Sequence, residues 1–479
     1  MSGELPEGWS WLTLEQFAAT EPHAITDGPF GSNLKTADYV EGGEVRVIRL
    51  GNIGVGRFVD EDRSFISAAK FAGLTKHEAR AGDLVVAALA EPVGRCAEVP
   101  EGIGTAIVKA DCVRVRVNPR FDRRYLMHAL NSPAGRLRAE AAAHGMGRLR
   151  MNLGDLRNLV VPTAPPTEQH RIVAKLEALQ ARSRRAKEAL DTVPALLEKL
   201  RQSILAAAFR GDLTKDWRAQ NPNVEPASEL LKRIRAERRA KWEEAELAKL
   251  KAKGKTPSDD KWKAKYKEPE PVDTAGLPEL PSGWCWATFA EVGSIAANLV
   301  DPSQFPDALH VAPDNVARDT GALLAVQTVA HDRVISGNHR FFLGQIIYSK
   351  IRPYLNKCAI APFDGLCSAD MYPIDALINV RFLHFFMLSL HFLAQISDRA
   401  GSRVVLPKAN QDQLNAVMVP VPPLDEQAAI SEHVALRLHV ASGVAASCRS
   451  IEQLAQQLAA TTLAKAFRGE LVPQKPDDP

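Results

Sequence analysis

Apolar and small residues recur along one stretch of the chain at alternating steps of four and three: Ile172, Leu176, Leu179, Ser183, Ala186, Leu190, Val193, Leu197, Leu200, Ile204 and Ala207. That spacing is a heptad seam and predicts a long helix that buries one narrow stripe. A strand-like run, LRNLVVP at 156–162, precedes it and is stopped by prolines. A second seam, weaker but in the same register, follows LNAVMVP at 414–420: Ile430, Val434, Ala441, Val444, Cys448, Ile451, Ala455 and Leu458, with Arg437, Thr462 and Lys465 on other seam positions. Forty residues of helix make a rod of about 60 Å at 1.5 Å per residue. Pro194 interrupts the first seam with no counterpart at Glu452, which predicts a kink or break there.

The two seams belong to a repeat, which decides the architecture. VPTAPPTEQ from Val161 and VPVPPLDEQ from Val419 align without a gap, and the same register reaches FRGDL at 209–213 and FRGEL at 467–471. Upstream the offset drifts: LPEGWSW at 5–11 pairs with LPSGWCW at 280–286, GDLVVAAL at 82–89 with GQIIYSKI at 344–351, and RYLMHALNS at 124–132 with RFLHFFMLS at 381–389. Each half therefore reads as a variable globular region followed by a rigidly spaced helix. An exposed seam needs a partner, and two like units related by a pseudo-two-fold axis would pair their helices antiparallel, with the globular regions at opposite ends. The expected divisions are 1–163 globular, 164–211 helix, 212–279 charged linker, 280–421 globular, 422–472 helix and 473–479 tail.

Composition adds exclusions. With 479 residues, 46% hydrophobic and 24% charged, the chain is an ordinary multi-domain composition. The longest apolar run, FLHFFMLSLHFLAQI at 382–396, is short and carries two histidines, so a buried helix is expected rather than a membrane span. No secretory leader pattern follows Met1, and a cytoplasmic location is expected. The six cysteines form no Cys-x-x-Cys pair, consistent with free thiols and no structural metal. The net charge is only +3, but residues 229–268 hold 14 Lys/Arg against 8 Asp/Glu, a local +6. Any contact with a polyanion must come from local patches.

In their order and duplication, the LPEGW and LPSGW openings, DGPFGSNLK at 27–35, the two Pro-x-x-Glu-Gln motifs at Pro165–Gln169 and Pro423–Gln427 and the two Phe-Arg-Gly exits resemble the specificity subunits of type I restriction-modification systems. The resemblance spans essentially the whole chain. It implies an α+β chain of two α/β target-recognition domains separated by a pair of long antiparallel coiled-coil helices. It implies that each domain reads one half of a split site in double-stranded DNA, while the helices set the gap and dock two modification subunits, joined by restriction subunits in the full complex. It further implies no cofactor on this chain, with S-adenosylmethionine, ATP and magnesium on the partner subunits, and no catalytic residues here. The Lys/Glu-rich tract between Arg210 and Leu280 departs from a minimal version of that pattern.

Catalytic motifs are absent where they would contradict such a role. KGKT at 253–256 lacks the first glycine of a phosphate-binding loop, GNIGVGRF at 51–58 lacks dinucleotide spacing, and NPNV and DPSQ do not supply the Asn/Asp-Pro-Pro-aromatic motif of an adenine methyltransferase. A self-contained DNA-modifying enzyme with diverged motifs, or a coiled-coil scaffold with two ligand-binding modules, are the alternatives.

Base reading uses bidentate Arg, Asn and Gln, and backbone contacts use Lys, Arg and hydroxyls. Such residues cluster in loops: Asn33, Lys35, Arg49, Asn52, Arg148 and Arg150 in the first half, and Gln327, Lys350, Arg352, Tyr354, Lys357, Arg403, Lys408, Asn410 and Gln411 in the second. Arg148, Arg150, Arg403 and Lys408 sit just before the duplicated lead-in to the helices and are the expected phosphate contacts. Trp9, Trp11, Trp284 and Trp286 read as packing residues. In the linker, Glu237 with Lys241 and Glu246 with Lys249 predict a solvated helix.

Overall fold

The computed structural model describes residues 5–89, 91–252, 254, 259–266, 272–397 with the backbone of 398–400, and 407–475. Five helices organise it: α1 (Arg123–Asn131), α2 (Pro166–Phe209), α3 (Ala227–Ala252), α4 (Val380–Met387) and α5 (Leu424–Ala466). The chain divides into two units, Met1–Thr192 with Cys448–Pro479, and Val193–Ser447. The first unit thus takes the start of α2 and the end of α5, and the second unit takes the remainder of both.

The two units share one plan. In the first, an antiparallel sheet runs in the order Ile25–Asp27, Cys112–Val115, Leu84–Ala87, Cys96–Glu98. A second, five-stranded sheet contains one parallel pair, Val45–Ile48 with Ala106–Val108. In the second unit Gly293–Ile295, Met371–Ala376, Ile346–Ser349 and Cys358–Ile360 form the antiparallel sheet, and Leu309–Val311 pairs in parallel with Gly365–Ser368 in the five-stranded one. A two-stranded ribbon in each unit, Ser10–Thr13 with Val160–Thr163 and Cys285–Thr288 with Met418–Val421, ties the opening motif to the run before the long helix.

The duplicated motifs prove to be one another's partners. In the first unit the Trp9 indole donates to Glu168 (3.0 Å), while Gln169 donates to the Ala164 carbonyl (2.8 Å) and accepts from the Asp122 amide at the start of α1 (3.0 Å). In the second, Trp284 donates to Glu426 (2.9 Å), and Gln427 bridges the Pro422 carbonyl (2.9 Å) and the Asn379 amide (2.9 Å) before α4. Each Glu-Gln pair therefore satisfies two donors and one carbonyl acceptor that three separated segments leave open.

The Phe-Arg-Gly exits cross over. Phe467, from the second repeat, packs edge-on against Tyr125 in the first unit (centroids 5.2 Å apart), and Phe209, from the first repeat, packs against Phe382 and Phe386 in the second (5.4 Å each). Gly469 and Gly211 follow at φ 74° and 78°, and a Cβ there would come within 2.4 Å of Pro6 Cγ and 2.6 Å of Pro281 Cγ. Only glycine meets both the left-handed backbone and the close approach to the proline of each opening motif.

Within each unit the helices are antiparallel. In the first, Glu168 near the start of α2 accepts from Gln474 beyond the end of α5 (2.8 Å), and Lys187 pairs with Glu452 (3.3 Å). In the second, Thr214 beyond the end of α2 donates to Glu426 at the start of α5 (2.6 Å). α2 continues through Pro194, so the expected break does not occur. The seam is followed as far as Leu197 except at Ala186, which is exposed; beyond it Ile204 keeps its predicted place, but Leu200 is exposed and burial shifts to Arg201, Leu205 and Ala208. In α5 the less exposed line passes through Ala445 and Glu452, leaving Val444, Ile451 and Leu458 exposed. The cause is geometric: a straight helix drifts ~20° per heptad from a strict seven-residue repeat, so the facing line slips by one position after several heptads.

The charged tract is not all solvated. The first turns of α3 bury Ala227, Leu230, Leu231 and Ile234 in the second unit's core, and Arg235 and Arg238 bind the Glu291 carboxylate and Ala290 carbonyl. Beyond them the helix is exposed, Glu246 pairs with Lys249 (3.6 Å), and Trp242 stacks on Trp262 (6.2 Å). Of KGKT, Lys253, Lys255 and Thr256 lie outside the described residues.

The apolar run at 382–396 forms two helices, α4 and Leu390–Ala400, bent by 60°, with Phe382, Phe386, Phe392 and Ile396 in the second unit's core. Among the described residues no single helix is long and apolar enough to cross a membrane. All six cysteines are free thiols.

Two core histidines give the fold an acid limit. Burial pushes His128 in α1 and His384 in α4 down to about 4, even though His384 donates to the Cys358 carbonyl (3.0 Å). Because the folded values lie below the unfolded value of about 6.5, the unfolded chain takes up protons first, and stability present above pH 6.5 is lost as pH falls toward 4. In the repeat alignment His128 faces Phe385 and His384 faces Met127. The double variant His128→Phe with His384→Met is expected to flatten the melting temperature between pH 6.5 and 5. An unchanged acid drop would assign it to other groups.

Candidate nucleic-acid interface

The loops that precede each long helix are mounted identically in the two units. In the first, the Met151 amide donates to the Ala88 carbonyl (2.8 Å) and the Ala88 amide to the Asp111 carbonyl (2.9 Å). In the second, Ala409 donates to Lys350 (2.8 Å) and Lys350 to Asp370 (2.9 Å). On this frame Arg150 pairs with Asp111 (2.8 Å) and Lys408 with Asp370 (3.1 Å), both cations about half exposed. Arg150 and Lys408 therefore occupy equivalent places, each held by an equivalent aspartate. A cation anchored by one carboxylate and still open to solvent can take a phosphate on its free side.

Around that frame the two surfaces differ. In the first unit the Arg150 guanidinium lies over the ring of Phe30 (5.4 Å), which joins the loop carrying Asn33 and Lys35 to the loop carrying Arg148. Asn33 ends a short turn, Gly31–Asn33, and Asn33, Lys35 and Arg148 are all exposed. Asp27, Phe30, His144 and Arg150 border a cavity of about 430 Å³. In the second unit the place of Ala88 is taken by Lys350, whose amine lies over Tyr372 (4.9 Å). Beyond it Arg352 (φ 47°) and Asn356 (φ 46°) adopt the left-handed conformation on either side of Pro353 and exposed Tyr354. Such backbone is unfavourable for residues other than glycine and persists only where surroundings enforce it; here the Arg352 amide donates to the Pro407 carbonyl (2.9 Å). Gln327 is exposed on the strand Gln327–Thr328, and Gln411 is exposed at the first position of the helix Gln411–Asn415.

Three of the sequence-predicted residues have structural work instead. Asn52 is fully buried: its amide donates to Val59 and Asp62 carbonyls and accepts from the Arg49 amide. The Asn410 side chain caps Gln411–Asn415 by accepting from Gln413, as Asn152 caps Leu153–Arg157 in the first unit. Lys357 ties down the neighbouring loop through the Pro313 carbonyl (2.7 Å) and Asp314 (3.3 Å), and Arg95 does the same in the first unit through Ile53 and Leu50 carbonyls. Arg49 is half exposed and paired with Asp62 (3.2 Å), away from Arg148 and Arg150 in the sequence of loops. Arg403 lies outside the described residues. Sequence reasoning missed Phe30, Asp111 and Asp370; the signal was the Ala-Asp pair that recurs in KADC and SADM.

Among the described residues no group of three or more His, Cys, Asp or Glu side chains is placed to share a metal ion. No family model matches the chain. Its sequence is 38% identical over 321 residues to the EcoDI type I restriction enzyme specificity subunit of Escherichia coli, covering 67% of this chain and 64% of that one. The EcoBI specificity subunit of Escherichia coli is 30% identical over 243 residues, 49% of each chain, and the EcoKI specificity subunit of strain K12 is 29% identical over 203 residues, 40% of this chain and 44% of that one. The chain thus spans just under two thirds of the first of these relatives and about half of the other two. In fold it is similar over 98% of its length to a chain from a structure described as the basis of complex assembly and conformational transition of the type I R-M system (TM-score 0.65, 18% identity, 100% of that chain). It is similar over the same share to the HsdS subunit of Thermoanaerobacter tengcongensis (TM-score 0.56, 17% identity, 99% of that chain). With its duplicated motifs and crossed helix exits, this chain has type I restriction enzyme specificity subunits as its sequence relatives and shares the fold of the HsdS subunit.

Proposed function

We propose that the chain is the sequence-specific DNA-recognition subunit of a type I restriction-modification complex, without catalytic residues of its own. Residues 1–163 and 280–421 each read one half of a bipartite site in duplex DNA, and α2 and α5 set the spacing between the halves. The observation that carries this reading is an identical mount bearing dissimilar loops: Arg150 with Asp111 and Lys408 with Asp370 repeat, while Ala88 gives way to Lys350 and half-buried Pro92 to exposed Tyr354. Two different half-sites require that combination of a common grip on phosphate and unlike reading surfaces.

Two modification subunits dock on the helices, with restriction subunits joining the full complex. Exposed apolar side chains support this: Leu196, Leu200, Leu436, Val440 and Val444 in the second unit, and Ile451, Leu454 and Leu458 in the first. Apolar stripes left open on long helices mark protein contact. Methyl transfer from S-adenosylmethionine and ATP- and magnesium-dependent cleavage then belong to those partners in the cytoplasm. The relatives favour this over a self-contained modifying enzyme.

Co-expression with modification subunits in cells lacking other adenine methylation, followed by mapping of methylated adenines, is expected to reveal a bipartite motif with a fixed gap. Replacing 349–357 should change one half of that motif and leave the other intact. A continuous motif, or methylation by this chain alone, would overturn the reading.

A further inference from the structure

Met146 stands wholly in solvent, with a relative exposure of 103%. The chain builds a stalk to hold it there. His144 and Arg150 exchange both backbone hydrogen bonds (2.9 Å each), closing a hairpin whose tip is Gly145-Met146-Gly147. The glycines turn at φ 122° and 88°, and a Cβ on Gly145 would lie 2.6 Å from the Arg148 carbonyl oxygen. Two residues of high conformational freedom are thus fixed to present one apolar side chain that packs against nothing described in its own unit.

What surrounds the tip identifies its occupant. Arg148 and Arg150 stand on the outgoing arm, both exposed, and Phe30 on the adjoining loop holds the Arg150 guanidinium in place. An unbranched apolar side chain beside two guanidinium groups matches stacked bases next to a phosphate backbone, and methionine is among the side chains that can enter between base steps. A protein face would have to supply acidic groups around an apolar hole to match the same surface.

We propose that Met146 is a wedge that enters the base stack of the half-site read by the first unit, with Arg148 and Arg150 on the phosphates beside the opened step. The inference rests on the DNA-reading function proposed above and adds a mode of selection to it. A wedge senses how readily a step unstacks, so a pyrimidine–purine step is favoured at the point of entry without any hydrogen bond to its bases.

The test uses the full chain assembled with its modification subunits and a duplex carrying the bipartite site, with dyes at the two ends and 2-aminopurine at the candidate steps. Met146→Ala is expected to reduce the bend, quench the 2-aminopurine signal and weaken binding about tenfold, whereas Met146→Leu retains all three. A mismatch at the wedged step should tighten binding of the native chain and leave Met146→Ala unaffected. If Met146→Ala bends and binds the site as the native chain does, the wedge is refuted while DNA reading stands. If Met146→Ala instead loses the modification subunits with DNA distortion unchanged, the tip is a protein contact and the wedge is equally refuted. A native complex without sequence preference sinks both readings.

Discussion

Replacing Glu426 with alanine is expected to destabilise the second unit by about 3–5 kcal/mol, the range for removing one member of a buried ion pair. Glu426 is fully buried and accepts from the Trp284 indole, the Thr214 hydroxyl and the Arg218 guanidinium, so one truncation orphans three donors. Each of those donors comes from a different part of the chain: the opening motif, the turn Asp212–Thr214 after α2, and the short helix Lys215–Gln220 that follows. Glu426→Gln keeps a single acceptor oxygen, enough for Trp284 or for Thr214 but not for both, and leaves the Arg218 charge without its partner, so it should fall between alanine and the native chain. Hydrogen exchange over 284–292 and 424–434 is the suitable readout, because a chain of two units need not unfold in one step. A loss below about 1 kcal/mol for alanine would mean that the carboxylate is not the hub the geometry makes it.

Charge reversal at Arg148, Arg150 and Lys408 is expected to weaken duplex binding strongly and to flatten its salt dependence. Each phosphate contact removed takes about 0.9 from the slope of log K against log salt, so three contacts would lower it by roughly 2.7. The effect should be nearly uniform across sequences, since the contacts proposed for these residues are to the backbone and not to base edges. Asp111→Asn and Asp370→Asn provide the opposite sign: removing the carboxylate beside each cation raises the local positive potential and should tighten non-specific binding. A salt slope unaltered in the triple variant would remove these residues from the interface.

The repeat, the long helices and their direction were legible because they are written twice at fixed spacing, and spacing survives without knowledge of contacts. What the motifs do for each other was not. Nothing local in LPEGW shows that its indole seeks the glutamate of PPTEQ, since that bond joins residues 159 apart. The seam was legible to Leu197 and slipped afterwards, because the drift of a straight helix against a seven-residue count accumulates over its length. The interface was the least legible part. An asparagine that caps a helix, one that braces a buried loop and one left open to solvent present the same letters: the sequence puts Asn410, Asn52 and Asn33 all at the interface, whereas the first caps a helix, the second braces a loop and the third is exposed. Comparing the halves resolves part of this: Asn152 and Asn410 cap equivalent helices, and Arg95 and Lys357 tether equivalent loops, so positions alike in both halves serve the frame. Positions that differ, such as Ala88 and Lys350, are free to specify.

The crossing of the Phe-Arg-Gly exits also sets an order of events during translation. Everything the second unit needs, from Val193 to Ser447, has been synthesised before the ribosome reaches Cys448. The first unit must wait for Ala466 and Phe467 to fill its core beside Tyr125. The part of the protein made first is therefore completed last, and until then its nascent core offers an open site that a chaperone has reason to cover.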